Sequence, residues 1–293
     1  MTVKQHKSGY AAIIGKPNAG KSTLMNRILG SKISITTHKA QTTRHQVVGI
    51  FSDDDTQIIF LDTPGVITPK YELQRAMMNT VERARADADV ILLIYDPTDR
   101  HPTDEVIELL RSINKPILLV VNKVDSIDES IAKEKALELT EKLKIRSTHF
   151  VSALRGDGIE ELIETIRTTL LPGPPFYPKE DLSEHPLRFF VSELIREQVF
   201  LQFHEEIPYS CSVDVIQYKE EETIDRISAE IIVNRKSQKG MLIGKGGEAI
   251  KKLGIKSRES IELFLDKQVF LELHVKVREK WRENENWVRN LGY

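Results

Sequence analysis

The sequence predicts an α/β domain built on a mostly parallel sheet, followed by a smaller α+β domain. Three observations carry that prediction. Before residue 171, short apolar runs alternate with amphipathic stretches, the pattern of a sheet covered by helices on both faces. Residues 171–180 then hold four prolines in ten positions, which blocks helix and sheet ladders and favours a stiff extended connector. After it the order of elements changes. A length of 293 residues accommodates about two domains at roughly 150 residues each.

Buried-strand patterns are expected at 10–14, 56–61, 90–95, 117–121 and 149–151, with weaker candidates at 34–35 and 46–52. Helical periodicity between them covers 21–29, 72–86, 103–112, 131–142 and 159–170. Ligands of such sheets sit beyond the carboxyl ends of the strands. In the second half a helix is expected at 186–203 and strands at 212–218 and 226–233. Helical stretches at 247–253 and 256–266, a strand at 268–277 and a charged end with Trp281, Trp287 and Tyr293 follow. The expected domains are 1–171 and 186–293, with the Pro-rich connector at 172–185.

Composition excludes several classes. Lys+Arg number 42 and Asp+Glu 44, a net charge of −2, so any nucleic-acid site must be a local patch. The longest apolar run, 90–95, has six residues against the roughly 20 of a membrane span. The first nine residues carry lysines with no apolar segment behind them, unlike a secretory signal. The lone Cys211 excludes a disulfide framework and a Cys-based zinc site, and reads as a buried strand residue. The histidines, His101 included, lack metal-ligand spacing. These features point to a cytoplasmic protein.

Gly15-Lys16-Pro17-Asn18-Ala19-Gly20-Lys21-Ser22 matches G-x-x-x-x-G-K-[ST] between a strand and a helix. The glycines let several N–H groups converge on one phosphate at a helix N-terminus. Lys21 would reach the β- and γ-phosphates, and the Ser22 hydroxyl would bind Mg²⁺. Asp62-Thr63-Pro64-Gly65 ends the strand at 56–61, 41 residues after Lys21. Asp62 there suits the metal side, and the Gly65 N–H suits the γ-phosphate. Alone the tetrapeptide is a turn; beside a phosphate loop it reads as a γ-phosphate sensor.

Asn122-Lys123-Val124-Asp125 follows the strand at 117–121. A carboxylate accepts two parallel hydrogen bonds, which suits guanine N1–H and its exocyclic amine, whereas adenine offers no such donor pair. Asn122 can bond the base or tie loops together, and the stem of Lys123 can lie along the ring. Ser152-Ala153-Leu154 fits a loop whose backbone N–H meets guanine O6. The nucleotide is therefore GTP or GDP, with Mg²⁺.

With these motifs, and with Gln41-Thr42-Thr43-Arg44, the chain resembles the Era-type branch of the translation-factor-related GTPases. The resemblance implies that Gln41–Arg44 is switch I, with Thr42 or Thr43 closing on Mg²⁺, Thr43 being preferred. It implies that Asp62 to Val66 is switch II. Val66 stands where Ras-like proteins carry the Gln that orients the attacking water, and valine cannot hydrogen-bond it. Branch members with an Asn at the position of Asn18 can use K⁺ instead, so K⁺ is expected here. Hydrolysis is expected to be slow and switch-like.

Gly244-Lys245-Gly246-Gly247 is a G-x-x-G, which by itself is a common turn. Between Arg235 and Arg258, however, eight basic residues face the single acid Glu248, a local charge of +7. Lys239, Lys245, Lys251 and Lys252 belong to it. Such segregation makes a field that phosphates feel. The element order around the motif resembles a type II KH domain, which grips about four nucleotides of single-stranded RNA. The resemblance implies that Ile243 and Ile250 line an apolar groove for the bases. Trp281 and Trp287 read as packing residues of a terminal helix, with base stacking as the alternative. A GTPase domain joined to a type II KH domain resembles the Era family over nearly the whole chain. That implies a monomeric ribosome-assembly factor acting on the 3′ region of 16S rRNA and on the 30S subunit. It also implies peripheral membrane contact, for which the sequence shows no anchor. A transport or metabolic GTPase with a protein-binding second domain, and an RNA-binding protein with a structural nucleotide, stand as rivals.

Overall fold

A computed structural model describes residues 5–100 and 104–293; the readings made for the first residues, for His101 and for Thr103 lie outside them. Contacts divide the chain into two units. The first comprises Met1–Pro69 and Met77–Glu184, the second Lys70–Ala76 and His185–Tyr293.

The first unit has strands β1 (Lys7–Gly15), β2 (Val47–Ser52), β3 (Thr56–Asp62), β4 (Val90–Tyr95), β5 (Ile117–Val121) and β6 (Ile145–Phe150). They form one sheet of order β2-β3-β1-β4-β5-β6. Only β2 runs antiparallel, so the sheet is mostly parallel, as expected. Helices α1 (Lys21–Leu29), α2 (Glu72–Asp87) from Met77 onward, α3 (Asp104–Arg111), α4 (Glu129–Lys142) and α5 (Ile159–Thr169) complete it. Every residue of β3 and β5 is buried, which is why these strands read as unbroken apolar runs. The chain turns from β3 to β4 across β1, so the loops after β1 and β3 open side by side at a topological switch point.

In the second unit α6 (Leu187–Gln202), the short α7 (Ile207–Ser210), α8 (Lys236–Ile243) and α9 (Glu248–Leu265) accompany β7 (Ser212–Lys219), β8 (Ile224–Val233) and β9 (Gln268–Val277). The sheet order is β7-β8-β9, antiparallel then parallel. Alternate residues of β8, Ile227, Ala229, Ile231 and Val233, share a core with Val191, Ile195 and Val199 of α6 and with Leu253 and Ile261 of α9. Short α10 (Glu285–Asn290) ends the chain.

Four expectations change. The segment 34–35 is a loop, because the Asn26 side chain takes the main-chain groups a ladder would use: Oδ1 accepts from Ile33 N and Ser34 N, and Nδ2 donates to Ser34 O. Strand β6 starts at Ile145 and stops before Val151; at a sheet edge its polar residues Arg146 to Thr148 are tolerated. The two helical stretches after the G-x-x-G are one helix, since Gly254 sits on its packed face, where a Cβ would lie 3.8 Å from Leu273. Trp281 lies in a 3₁₀ turn, fully buried, with Nε1 donating to Ser210 O at 2.9 Å, which removes it as a base-stacking platform. Trp287 is in α10 under the Arg278 guanidinium, 4.7 Å from the ring centroid.

The Pro-rich segment is not a free spacer. Gln57 Oε1 accepts from Phe176 N and Tyr177 N, Ile50 N donates to Leu182 O at 2.9 Å, and Ser183 Oγ donates to Val48 O. Residues 172–184 thus belong to the first unit, covering the outer edge of β2. Cys211 is buried beside β7, and Glu220 to Glu222 form the exposed turn between β7 and β8.

Candidate functional site

The phosphate loop leaves β1 at Gly15, where a Cβ would lie 2.4 Å from Ile94 O. Asn18 and Gly20 both adopt left-handed φ, at 62° and 98°. A Cβ on Gly20 would fall 2.1 Å from Asn122 Nδ2, so only glycine fits both the conformation and the space. Lys21 is buried and donates to the carbonyls of Gly15 at 3.2 Å and Lys16 at 2.8 Å. Burial pushes its ammonium down to about 8, against the opposing pull of Asp62. Lys16 pairs with Asp99, and Pro17 packs under Gly65, where a Cβ would lie 2.5 Å from Pro17 N.

Four side chains meet on the metal side. Ser22 Oγ donates to Asp62 Oδ2 at 2.6 Å and lies 2.9 Å from Thr43 Oγ1. Ser34 Oγ donates to the same Oδ2 at 2.9 Å. Asp62 Oδ1 is buried with no hydrogen-bond partner. Burial raises the Asp62 pKa, while the hydroxyl of Ser22, the charge of Lys21 and the hydroxyl of Ser34 oppose the rise. Two hydroxyls and an orphaned carboxylate oxygen are the hard oxygen donors that Mg²⁺ takes directly or through water. Thr42, by contrast, lies 2.6 Å from Thr37 Oγ1 and donates to Lys39 O at 2.8 Å. Gln41 takes a left-handed φ of 59°, and Arg44 is 3% exposed.

In the next loop Thr63 Oγ1 donates to Ile13 O at 2.7 Å, and Val66 N donates to Gly15 O at 3.1 Å. The Val66 side chain belongs to the core, so it neither orients nor crowds a water.

At the far end of the pocket Asn122 ties loops together. Its Nδ2 donates to Ala19 O at 2.8 Å, and its Oδ1 accepts from Ala153 N at 2.9 Å. The Ala153 N–H is thereby engaged by Asn122. Ser152 Oγ donates to Asp125 Oδ1 at 2.6 Å and holds its carboxyl below the usual range, so the acceptor is ionised at neutral pH. Lys123, in a left-handed conformation, pairs with Asp96 at 2.5 Å, and Val124 N donates to Val151 O at 3.3 Å. Together the loops enclose a cavity of about 370 Å³ lined from Pro17 to Leu154, the latter 69% exposed at its mouth. The sequence reading missed Ser34, Asp96, Asp99 and Arg27, whose Nε donates to Ala153 O at 3.2 Å. Asp96 and Asp99 follow the end of β4, a position where acids could have drawn notice; Ser34 and Arg27 had no local signal.

In the second unit α8 ends at Gly244, with φ 74° and ψ 176°. Gly246 and Gly247 follow at φ 61° and 83° with nothing within 4 Å of either Cβ position. Lys245, Lys251 and Lys252 are exposed beside them, and Lys239 is half-buried on α8. A groove of about 370 Å³ runs between α9 and β9, walled by Ile250, Lys251, Ile255, Arg258, Phe270, Leu271 and Leu273. Ile250 and Lys251 are in that wall; Ile243, Lys239 and Lys252 are not. Phe270 was missed, though its place in the alternating strand at 268–277 signals it.

Residues 10–123 match the family model for a 50S ribosome-binding GTPase, and residues 206–282 match that for a KH domain. The chain is 42% identical to GTPase Era of Geotalea uraniireducens, covering all of both chains. The chain belongs to the Era GTPase family. GTPase Era of Staphylococcus haemolyticus is 39% identical over 99% of the chain and 98% of its own length. A crystal structure of an Aquifex aeolicus Era variant bound to GDP and AlF4⁻ superimposes with a TM-score of 0.94 at 38% identity, covering 98% of this chain and 99% of its own. A structure of Era with MgGDPNP and nucleotides 1506–1542 of 16S ribosomal RNA has the same TM-score, identity and coverage. This Era-family protein is a GTPase that uses GTP and GDP with Mg²⁺. Among the described residues no helix is long and apolar enough to cross a membrane.

Proposed function

We propose that this protein is a GTP-driven switch that binds single-stranded rRNA through its KH domain and acts in 16S rRNA maturation and 30S assembly. The observation that carries the reading is the co-occurrence on one chain of the GTP pocket and an exposed, basic G-x-x-G turn that leads into the helix walling an open groove. A close structural relative holding MgGDPNP together with 16S rRNA nucleotides supports it. The net charge of −2 makes the +7 stretch at 235–258 a local device rather than a general affinity for polyanions.

In this reading Lys21 and the N–H groups of the phosphate loop bind the β- and γ-phosphates, and Asp125 and Lys123 hold guanine. Ser22, Thr43 and Asp62 hold Mg²⁺, which when bound neutralises charge across the β- and γ-phosphates. Thr43 is favoured over Thr42 because its hydroxyl lies beside Ser22, whereas that of Thr42 is engaged within its own loop. γ-Phosphate would order the Thr43 segment and the Gly65 turn. With Val66 in the core, the attacking water must be oriented by main-chain groups or by K⁺. Asn18 is the candidate K⁺ ligand by the family resemblance, and its Nδ2 donates to His38 O, ahead of Gln41–Arg44, at 3.1 Å. Turnover faster in KCl than in NaCl at equal ionic strength is expected; equal rates would remove K⁺ from the mechanism.

Lys245, Lys251, Lys252 and Gly246 would meet the RNA backbone, with Ile250 and Phe270 against bases. Ile243 and Lys239 would support the motif from α8. A monomeric, cytoplasmic protein with a peripheral membrane-associated fraction completes the reading, on the strength of the family resemblance. The test is crosslinking to total cellular RNA with a non-hydrolysable GTP analogue, with GDP, and in Gly246→Asp. Small-subunit rRNA captured with the analogue, reduced with GDP and lost in the variant is expected. Three identical background profiles would remove the RNA assignment and leave a protein partner for the second domain.

A further inference from the structure

We infer that Ser34, held by Asn26, is a positioning residue that fixes the orientation of the Asp62 carboxylate beside the bound metal. This rests on the reading of Ser22 and Asp62 as the metal-side pair, and adds a residue outside every motif in the chain.

An ionised carboxylate only accepts, and each hydroxyl has one proton to give. Ser22 Oγ donates to Asp62 Oδ2 at 2.6 Å, so its 2.9 Å contact with Thr43 is an acceptance from the threonine. Ser34 Oγ donates to the same Oδ2 at 2.9 Å. Both local donors therefore converge on one oxygen, and Oδ1 is left buried without a partner. A buried carboxylate oxygen without a donor is costly unless a cation or its water completes it. With Ser22 alone the carboxylate could pivot about that single hydrogen bond and swing its second oxygen by rotation. The second donor, from a different segment, closes off that rotation.

Ser34 is built for this role. It is 2% exposed, and its main chain is fixed at both ends by one side chain. Asn26 Oδ1 accepts from Ser34 N at 2.9 Å and from Ile33 N at 3.1 Å, while Asn26 Nδ2 donates to Ser34 O at 2.7 Å. Asn26 stands on α1 one turn beyond Ser22, so the helix that carries the metal-binding hydroxyl also sets the position of Ser34. Partners that orient a metal's ligands in this way typically matter tenfold to a hundredfold in metal affinity.

The experiment measures Mg²⁺ affinity of the GDP complex, by Mn²⁺ electron paramagnetic resonance with Mg²⁺ competition, for wild type, Ser34→Ala, Ser34→Thr and Asp62→Asn. GDP affinity in EDTA is measured alongside. Ser34→Ala is expected to lose about tenfold or more in Mg²⁺ affinity with GDP affinity in EDTA within about twofold of wild type, and Ser34→Thr to recover most of the loss. Unchanged Mg²⁺ affinity in Ser34→Ala, or an equal loss of GDP affinity in EDTA, overturns the inference. Should the alanine variant fail to fold, Ser34→Cys, which keeps the volume with a weak S–H donor, carries the same expectation and the same refutation. If Asp62→Asn leaves Mg²⁺ affinity intact, the metal-side reading itself falls, a result separable from failure of Ser34 alone.

Discussion

Two glycine loops carry the chemistry of this chain, and they use glycine for opposite reasons. In the phosphate loop and the neighbouring Asp62–Gly65 turn the glycines are crowded: Gly15, Gly20 and Gly65 have backbone or side-chain atoms within 2.1–2.5 Å of where a Cβ would stand. In Gly244-Lys245-Gly246-Gly247 the last two glycines are required by left-handed φ alone, and open space surrounds them. The first loop is enclosed, with the Ala19 carbonyl tied by Asn122 and its lysine buried, and so suits a single small ligand. The second is an exposed backbone flanked by exposed cations, suited to a polymer that passes by. Enclosure makes the first site specific and unforgiving; openness makes the second additive and salt-sensitive.

The sharpest way to break this contrast is to add one methyl group to each loop. Gly20→Ala forces a Cβ onto Asn122 in a strained conformation, and GTP affinity is expected to fall by more than about a hundredfold. Gly246→Ala meets no atom and carries only the left-handed penalty of about 1–2 kcal/mol, so RNA affinity is expected to fall by about tenfold with GTP turnover retained. Calorimetric titration of nucleotide and RNA into both variants checks the pair. Equal losses would show that the loops are built alike.

Next in size is the base. Asp125→Asn replaces an acceptor by a donor, and preference is expected to move from GTP to xanthosine triphosphate, whose C2 carbonyl accepts where guanine donates. A change of about a hundredfold or more in the ratio of the two affinities is the expected reading; an unchanged ratio would remove Asp125 from base recognition.

A pH titration sharpens the enclosure argument. Burial lowers Lys21 to about 8 in the free protein, whereas bound phosphate holds it protonated. Between pH 8 and pH 10 binding therefore takes up a proton, and GTP affinity falls as pH rises, by at most about tenfold per unit. Proton uptake measured calorimetrically in buffers of different ionisation enthalpy checks the sign. Uptake that is absent at pH 9 in wild type, or persists in Lys21→Met, would assign the linkage elsewhere.

The smallest effect belongs to the open surface. Four cations of the G-x-x-G turn and α9, Lys245, Lys251, Lys252 and Arg258, predict that log affinity for single-stranded RNA falls with log salt at a slope of about −3. Lys252→Ala is expected to reduce the slope by about 0.7 without altering GTP affinity. A slope that stays constant in the variant would mean that Lys252 touches no phosphate.

Much of this contrast was legible in the sequence because it is local. Gly15 to Ser22, Asp62 to Gly65 and Asn122 to Asp125 each follow a buried strand whose apolar run is read directly, and the strand ends deliver them to one edge of the sheet. Ser34 was not legible. Its role depends on Asn26 and Asp62, 8 and 28 residues away, and its segment looks like a weak strand. Arg27 likewise reaches across 126 residues to Ala153. The course of the Pro-rich segment was not legible for a related reason: proline excludes regular structure, but it does not say whether the resulting extended chain is solvated or laid along a sheet edge.

The sequence by itself determined the two fold classes, the nucleotide and its base, and the place of the basic G-x-x-G, since each rests on residue types at fixed short spacing. The tertiary structure alone decided that Thr43 rather than Thr42 stands beside Ser22, that Asn122 ties loops, and that Trp281 is buried. It also decided that both hydroxyl donors fall on one oxygen of Asp62. Those facts depend on how separate segments converge, and a hydrogen bond between distant residues is set by distances of tenths of an ångström that no local spacing encodes.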